Sequence, residues 1–203
     1  MPSRRHVSGG RDALSSFSDC GASCRNRIGT AIRAWRAENP LRPDAAAPDH
    51  SDYVRVSDAS HQIRHAGPGD AVAVADLAAG LAQSFTFSRA RFDLSYPALL
   101  DARDACLLLA ADREEYLGYL LGFRHLTFYA NGPVGWVEEV FVRHQDRGRG
   151  TGRALMNAFE QWAADQGCTL IALATRRAAP FYRALGYEQS AIYHRKILDR
   201  AAS

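Results

Sequence analysis

The chain has 203 residues, 47% hydrophobic and 23% charged, a balance that suits one compact globular domain plus an appendage. It contains no apolar run long enough for a membrane span, and Arg4-Arg5 is not followed by the apolar stretch of a secretory leader. The net charge of +3 is not the clustered excess of a nucleic-acid binder.

Residues 1–58 read as an N-terminal extension. They are rich in Ser, Arg, Ala, Asp, Gly and Pro and poor in large apolar residues, so they bury too little to offset their ordering entropy. Within them, Ile28 to Glu38 has the spacing of a short helix with Ile28, Ile32 and Trp35 on one face, and Asn39 to His50 reads as a linker. Trp35 is also a candidate for docking on the domain or on a partner subunit. Cys20 and Cys24 lack the second Cys/His pair of a zinc site, so no metal is expected. Cys106 and Cys168 sit in or beside apolar runs and read as buried small side chains. Free thiols of this kind point to a reducing, cytoplasmic compartment.

Regular periodicity begins near residue 59 and defines a domain over 59–203. Gln62–His65 predicts a first strand. Asp70 is placed to cap a helix through Ala82, and Ser95 with Pro97 predicts a second helix to Arg103. Ala105–Ala110 and Tyr116–Phe123 read as strands joined by the charged turn Asp112–Glu115, and Asn131-Gly132 as a turn before a strand Gly135–Arg143. Thr151–Gln166 has helical apolar spacing and ends at Gly167. Thr169–Ala174 predicts a strand, Ala178–Leu185 a short helix closed by Gly186, and Tyr187–Leu198 a last strand. The fold class is therefore α/β.

The segment Val137–Leu155, VEEVFVRHQDRGRGTGRAL, carries the chemistry. A strand runs into Gly148, Gly150 and Gly152, and a helix follows. Glycines let backbone amides crowd one point without a Cβ in the way, and the helix start adds unpaired N–H donors and partial positive charge. That is an anion cradle fit for a pyrophosphate, and Arg147, Arg149 and Arg153 add charge around it. There is no Lys-Ser/Thr for a P-loop, and Gly150-x-Gly152 reaches Leu155 where a dinucleotide fingerprint needs Gly or Ala. Each of Gly150 and Gly152 is expected to face the phosphates, so that Asp at either position ends binding.

This segment resembles the acetyl-CoA motif of the GNAT N-acetyltransferase superfamily, Arg/Gln-x-x-Gly-x-Gly/Ala, met by Arg147, Gly150 and Gly152, with Val142 before the loop. Ala178-Ala179-Pro180-Phe181-Tyr182-Arg183-Ala184-Leu185-Gly186-Tyr187 is similar to the family's second landmark. The resemblance covers roughly Gln62 to Leu198. His144 stands where the family often has Pro, and Thr175 where many members carry a cofactor-contacting Asn.

The resemblance implies a mixed, mostly antiparallel sheet flanked by helices, with a V-shaped cleft between the strands at 135–143 and 169–175. It implies acetyl transfer from acetyl-CoA to a primary amine by direct attack in a ternary complex, without a metal or a cysteine nucleophile. By it, Val140, Phe141 and Val142 line the pantetheine arm, and Arg147, Gly148, Arg149, Gly150, Thr151, Gly152, Arg153 and Thr175 hold the cofactor. Tyr182 takes the general-acid position, where a phenol suits a departing thiolate. Glu-Glu-x-Phe-Val also resembles the Glu-Asp-Phe-Phe-Val of spermidine/spermine acetyltransferases, which gives Glu138 the base position and Glu139 the neighbouring acidic one. Adjacent strand residues face opposite sides, so only one of the two is expected in the cleft; His125 and His144 are alternative bases. A homodimer is compatible with family habit alone.

The acceptor site is expected in Ser84–Tyr96 and His125–Pro133, with Phe85, Phe87, Phe92, Tyr96, Phe128, Tyr129 and Asn131. Their one acidic residue, Asp93, argues against a long polyamine or an aminoglycoside, and the amine stays open between a small molecule and a protein amine. Two other readings stay open as well. One is a non-catalytic acyl-CoA sensor of the same fold; the other is a nucleic-acid role for the Arg-rich arm.

Overall fold

The computed structural model describes residues 62–82, 85–113 and 115–198. The helical reading of Ile28–Glu38, the linker, Trp35, Cys20 and Cys24 lie outside the described residues. Five strands form one sheet in the order β1-β2-β3-β4-β5: β1 Gln62–His65, β2 Ala105–Asp112, β3 Glu115–Thr127, β4 Gly132–Val142 and β5 Leu170–Leu173. The first four are antiparallel neighbours, and β5 runs parallel to β4.

Helices cover both faces. Helix α1 (Ala71–Leu81) and helix α2 (Arg89–Asp101) lie on one, helix α3 (Thr151–Asp165) on the other, and a short helix α4 (Ala179–Arg183) follows β5. The α3 layer is apolar: Leu155, Met156, Ala158 and Phe159 pack on Ile63, Cys106, Leu108, Leu120 and Val137. The opposite layer joins Val74, Leu77 and Tyr96 to Leu107, Leu109, Tyr119 and Leu121. The middle strands are buried on both faces, which explains their continuous apolar runs.

Glycines set the distance between the layers. A Cβ at Gly122 would strike the Phe159 ring, and one at Gly118 the Phe141 carbonyl. A Cβ at Gly80 of α1 would lie 2.7 Å from the Phe141 ring, so this bare position is the seat in which Phe141 rests.

Several boundaries differ from the sequence reading. Helix α2 starts at Arg89, because the Ser88 hydroxyl accepts from the Arg91 amide, and Pro97 lies inside the helix. The helix therefore runs through the proline at the loss of one intrahelical bond. Asp70 precedes α1 but makes no side-chain cap, since both carboxylate oxygens are taken by Arg64, Gly67 and Tyr116. Strand β3 continues to Thr127 and β4 begins at Gly132, so His125, Gly132 and Pro133 belong to a longer hairpin rather than to a loop. Tyr187–Leu198 forms no strand; Ile192, Tyr193, Ile197 and Leu198 are exposed. Its apolar residues come in adjacent pairs around His194-Arg195-Lys196, so neither face is consistently apolar, and the segment meets no ladder partner among the described residues. No helix is long and apolar enough to cross a membrane among the described residues.

Candidate active site

The site is built where β4 outruns its neighbour. Strand β5 pairs with β4 from Val134 to Val137 and stops, while β3 stays paired with β4 to Val142. From Glu138 to Val142 no strand among the described residues pairs with the outer edge of β4, which is the V between 135–143 and 169–175 expected from the resemblance. The Arg143 amide bonds inward to the Leu117 carbonyl. Amides alternate along a strand, so Val140 and Val142 turn their N–H and C=O groups to the open edge. The Val142 carbonyl there accepts from Arg147 Nε at 3.1 Å.

The glycine loop closes one end of this edge. Gly148 and Gly150 have φ of 76° and 86°, the left-handed region that favours glycine. A Cβ at either would meet nothing within 4 Å, so both face open space. Gly150 is the N-cap of α3, and the first turn presents amides that an α-helix leaves without internal partners. Below the turn, Thr151 is buried and its hydroxyl donates to the Asp146 carbonyl at 3.5 Å. Arg149 lies 3.8 Å from the buried Asp146 carboxylate, and Arg153 donates to the Ala184 carbonyl, tying α3 to the end of α4. The loop thus turns two bare glycines and a helix start to open space among Arg147, Arg149 and Arg153, a setting that suits a diphosphate.

Gly152 does something else. Its Cβ would point at the Phe181 ring, 3.2 Å away, with Val142 at 3.9 Å. This corrects the expectation that a side chain at 152 enters the cradle: its bareness lets α4 close on α3 beside β4. Tyr182 follows Phe181 in that packing and makes edge contacts with the Phe181 and Tyr187 rings. Burial pushes its phenol above the ordinary range, and its hydroxyl bonds to none of the described residues. A phenol held protonated and without a partner is free to donate. Thr175 accepts from the Ala178 amide at 3.1 Å, so its oxygen already helps form the turn into α4.

The two glutamates do not diverge as expected. Leu121 pairs with Glu139 and Gly122 with Val137, so Glu138 is the extra residue of a β-bulge. Gly135 and Val137 face α3; Trp136 and Glu138 face the α1/α2 side, where the Trp136 indole donates to Glu138 Oε2 at 2.8 Å. After the bulge Glu139 also turns to that side, where the Tyr119 hydroxyl donates to its Oε2 at 2.5 Å. The bulge breaks simple alternation and places both carboxylates on one face. Glu138 is exposed; Glu139 is half-buried over a phenol that is itself 1% exposed. The Phe141 side chain packs toward Gly80, so only its backbone belongs to the open strand.

The structure brings Val142, Gly152 and Phe181 together and sets Tyr182 in the same apolar cluster as Val140 and Val142. It does not put Tyr182 beside the glutamates, which lie across the sheet. His125 and His144 are exposed, at the far part of β3 and in the turn after β4. Cys106 is wholly buried, and burial pushes both its thiol and that of Cys168 upward, so neither is an activated nucleophile. No cluster of metal-ligating side chains occurs among the described residues. Of the aromatics named for the acceptor, Phe87, Phe92 and Tyr96 pack on one another, and Tyr96 bonds to the Gly67 carbonyl. Phe85, Phe128 and Tyr129 are exposed, and Asp93 is paired with Arg89. Trp136 and Tyr119 were not singled out by sequence. Trp136-x-Glu138 is a same-face spacing, but Tyr119 meets Glu139 only through the register of β3 on β4.

The model of the acetyltransferase (GNAT) family matches residues 74–187. An aminoglycoside N(6')-acetyltransferase type 1 of Stenotrophomonas maltophilia is 35% identical over 151 residues, 69% of this chain and 95% of that protein. Among solved structures, glucosamine-6-phosphate N-acetyltransferase from Arabidopsis thaliana superposes with a TM-score of 0.62 at 18% identity, covering 69% of this chain and 99% of the other. Aminoglycoside N-acetyltransferase AAC(6')-Iy, in complex with CoA, gives 0.60 at 21%, covering 67% and 94%. With its open β4 edge and glycine loop, this chain belongs to the GNAT acetyltransferase family and is an N-acetyltransferase that moves an acetyl group from acetyl-CoA to an amine.

Proposed function

We propose that the acceptor is a primary amine on a small molecule, attacked directly while both substrates are bound, with Glu138 as base and Tyr182 as acid. The observation that carries this reading is the edge of β4 beyond β5, which joins the glycine loop at one end and the two carboxylates at the other, with Tyr182 on one face of the sheet and Glu138 on the other, so that acid and base would meet a thioester lying in that edge from opposite sides. Residues 59–203 are the catalytic domain in this proposal, and residues 1–58 an extension that chemistry does not need.

Bound acetyl-CoA supplies a thioester whose carbonyl carbon accepts the amine. Amides from Gly148 to Arg153 would hold its diphosphate, and the outward groups of Val140 and Val142 its amide-bearing arm in the manner of an added strand. The Val142 N–H is the donor nearest in kind to what the carbonyl oxygen needs as charge grows on it. Glu138, exposed and held from one side by Trp136, takes the proton that keeps the amine from attacking. Glu139, which accepts from Tyr119, adds a second carboxylate to the face that a cationic amine would approach. The phenol of Tyr182 gives its proton to the departing sulfur, and the second proton that the nitrogen sheds as the amide forms restores the phenol.

A second reading makes the acceptor the 6′-amine of an aminoglycoside. It is favoured by the 35% identity to the Stenotrophomonas enzyme. Two carboxylates on one face also answer the shortage of acidic residues counted in the loops. The test is a panel of mono-, di- and polyamines, amino sugars, aminoglycosides and peptide amines, followed by thiol release and by product mass. A 42-dalton gain, about one acetyl group, on small amines supports the reading. Acetylation of peptide amines alone overturns the small-molecule assignment.

A further inference from the structure

We infer that Trp136 is a positioning residue for acetyl transfer: its indole N–H fixes the carboxylate of Glu138, which the bulge in β4 would otherwise leave loose. The inference rests on the reading of Glu138 as the base.

A bulged residue has no partner across the ladder, so the backbone does not restrain it as it restrains its neighbours. Glu138 is also exposed, and a free glutamate there explores many rotamers. Among the described residues the one side chain bonded to it is Trp136, from Nε1 to Oε2 at 2.8 Å. Trp136 is itself held firmly. It pairs with Phe123 on β3 and Ala172 on β5, the last part of β4 with neighbours on both sides. An indole with two rotatable bonds, set between two strands, aims its N–H from a rigid base. It donates to one oxygen and leaves the other for the ammonium. Glu139 is held in turn by Tyr119, which is buried beneath the sheet surface. Two adjacent carboxylates thus receive separate donors, one from each side of the bulge.

The test compares wild-type, W136F, E138Q and W136F/E138Q enzymes with acetyl-CoA and an acceptor found in the panel. Phe keeps a six-membered ring and removes the N–H. W136F is expected to lower kcat about fivefold to tenfold, the loss of one hydrogen bond at an exposed site. The KM for acetyl-CoA should stay within about twofold and the melting temperature within about 4 °C, because Trp136 is only half-buried and the smaller ring leaves a modest gap. In the E138Q background the same change should cost less than about twofold, since the group it positions is gone. An unchanged kcat in W136F overturns the inference, and so does an equal loss in both backgrounds. If E138Q has no measurable rate, the single variant decides by its kcat, KM and melting temperature. Wild-type activity in E138Q would instead remove Glu138 as base, a separate outcome.

Discussion

The two faces of the sheet are made of different materials. On the α3 side the parts proposed to work are, the phenol of Tyr182 apart, backbone: the amides of the glycine loop, the start of a helix and the outward groups of Val140 and Val142, over an apolar layer of Leu155, Met156 and Phe159. On the α1/α2 side they are side chains, Glu138, Glu139, Trp136 and Tyr119, beside a polar knot at Asp70. In the proposed reading backbone binds the group that every acetyl transfer shares, and side chains meet what varies. A chain can change its acceptor by altering one face while the other continues to hold the same donor.

The largest way to break this contrast is to force the α3 layer off the sheet. Gly122→Ala puts a Cβ into the Phe159 ring, and Phe159 is fully buried. The gain in strand propensity is smaller than the overpacking cost, so stability should fall by about 3 kcal/mol. A urea midpoint equal to wild type would mean that the ring swings aside and that glycine is not what sets the spacing there. Next comes Gly150→Asp, which strains a φ of 86° and adds an anion to open space before the helix. Acetyl-CoA should bind about 100-fold more weakly by calorimetry, with the fold kept. Gly152→Ala sharpens the same point: its Cβ meets Phe181 and not the cradle, so its effect should appear in stability before affinity. Tyr182→Phe should lower kcat about tenfold to 100-fold at unchanged acetyl-CoA affinity. A wild-type rate in that variant would take the phenol out of the acid role.

The same contrast explains what could be read from sequence. Gly148, Gly150 and Arg147 stand in a fixed local pattern because a phosphate cradle is local: one loop, one helix start. Strand β1 and helix α3 were legible for the same reason, from spacing within a single segment, whereas the cleft between two strands came only with the resemblance to the family. The bulge was not. It depends on Gly122 and Val137 pairing out of step with Leu121 and Glu139, a property of two strands 15 or more residues apart. Tyr119 looked like one more core aromatic until β3 laid it under Glu139. Asp70 had the position of a helix cap, and local rules assign it that role; Arg64 and Tyr116, brought in by β1 and β3, outbid the amides of its own helix. Ser95-x-Pro97 misled in the opposite sense, because Pro near a helix start and Pro inside one look alike until Ser88 is seen to cap first.

Asp70 offers the smallest test, and one confined to the α1/α2 face. Its carboxylate takes two bonds of 2.6 Å from Arg64, one of 2.8 Å from the Gly67 amide and one of 3.0 Å from Tyr116. The Arg64 bonds come first among the causes that hold its pKa at about 2, below the ordinary 3.8, against a burial cost that works the other way. A pKa lower in the folded than in the unfolded chain means that folding favours the ionised form. The stabilisation is therefore present above pH 3.8 and drains away as the pH falls toward 2. Its size is about 2 kcal/mol, by the conversion of about 1.4 kcal/mol per pKa unit. Other carboxylates titrate in the same range, so the readout is the gap in urea stability between wild type and Asp70→Asn. That gap should narrow by about 2 kcal/mol between pH 6 and pH 2. A gap independent of pH would show that Asp70 acts there through shape and hydrogen bonds alone. The α1/α2 face would then owe its polar knot nothing in charge, and the contrast with the apolar α3 layer would be one of geometry only.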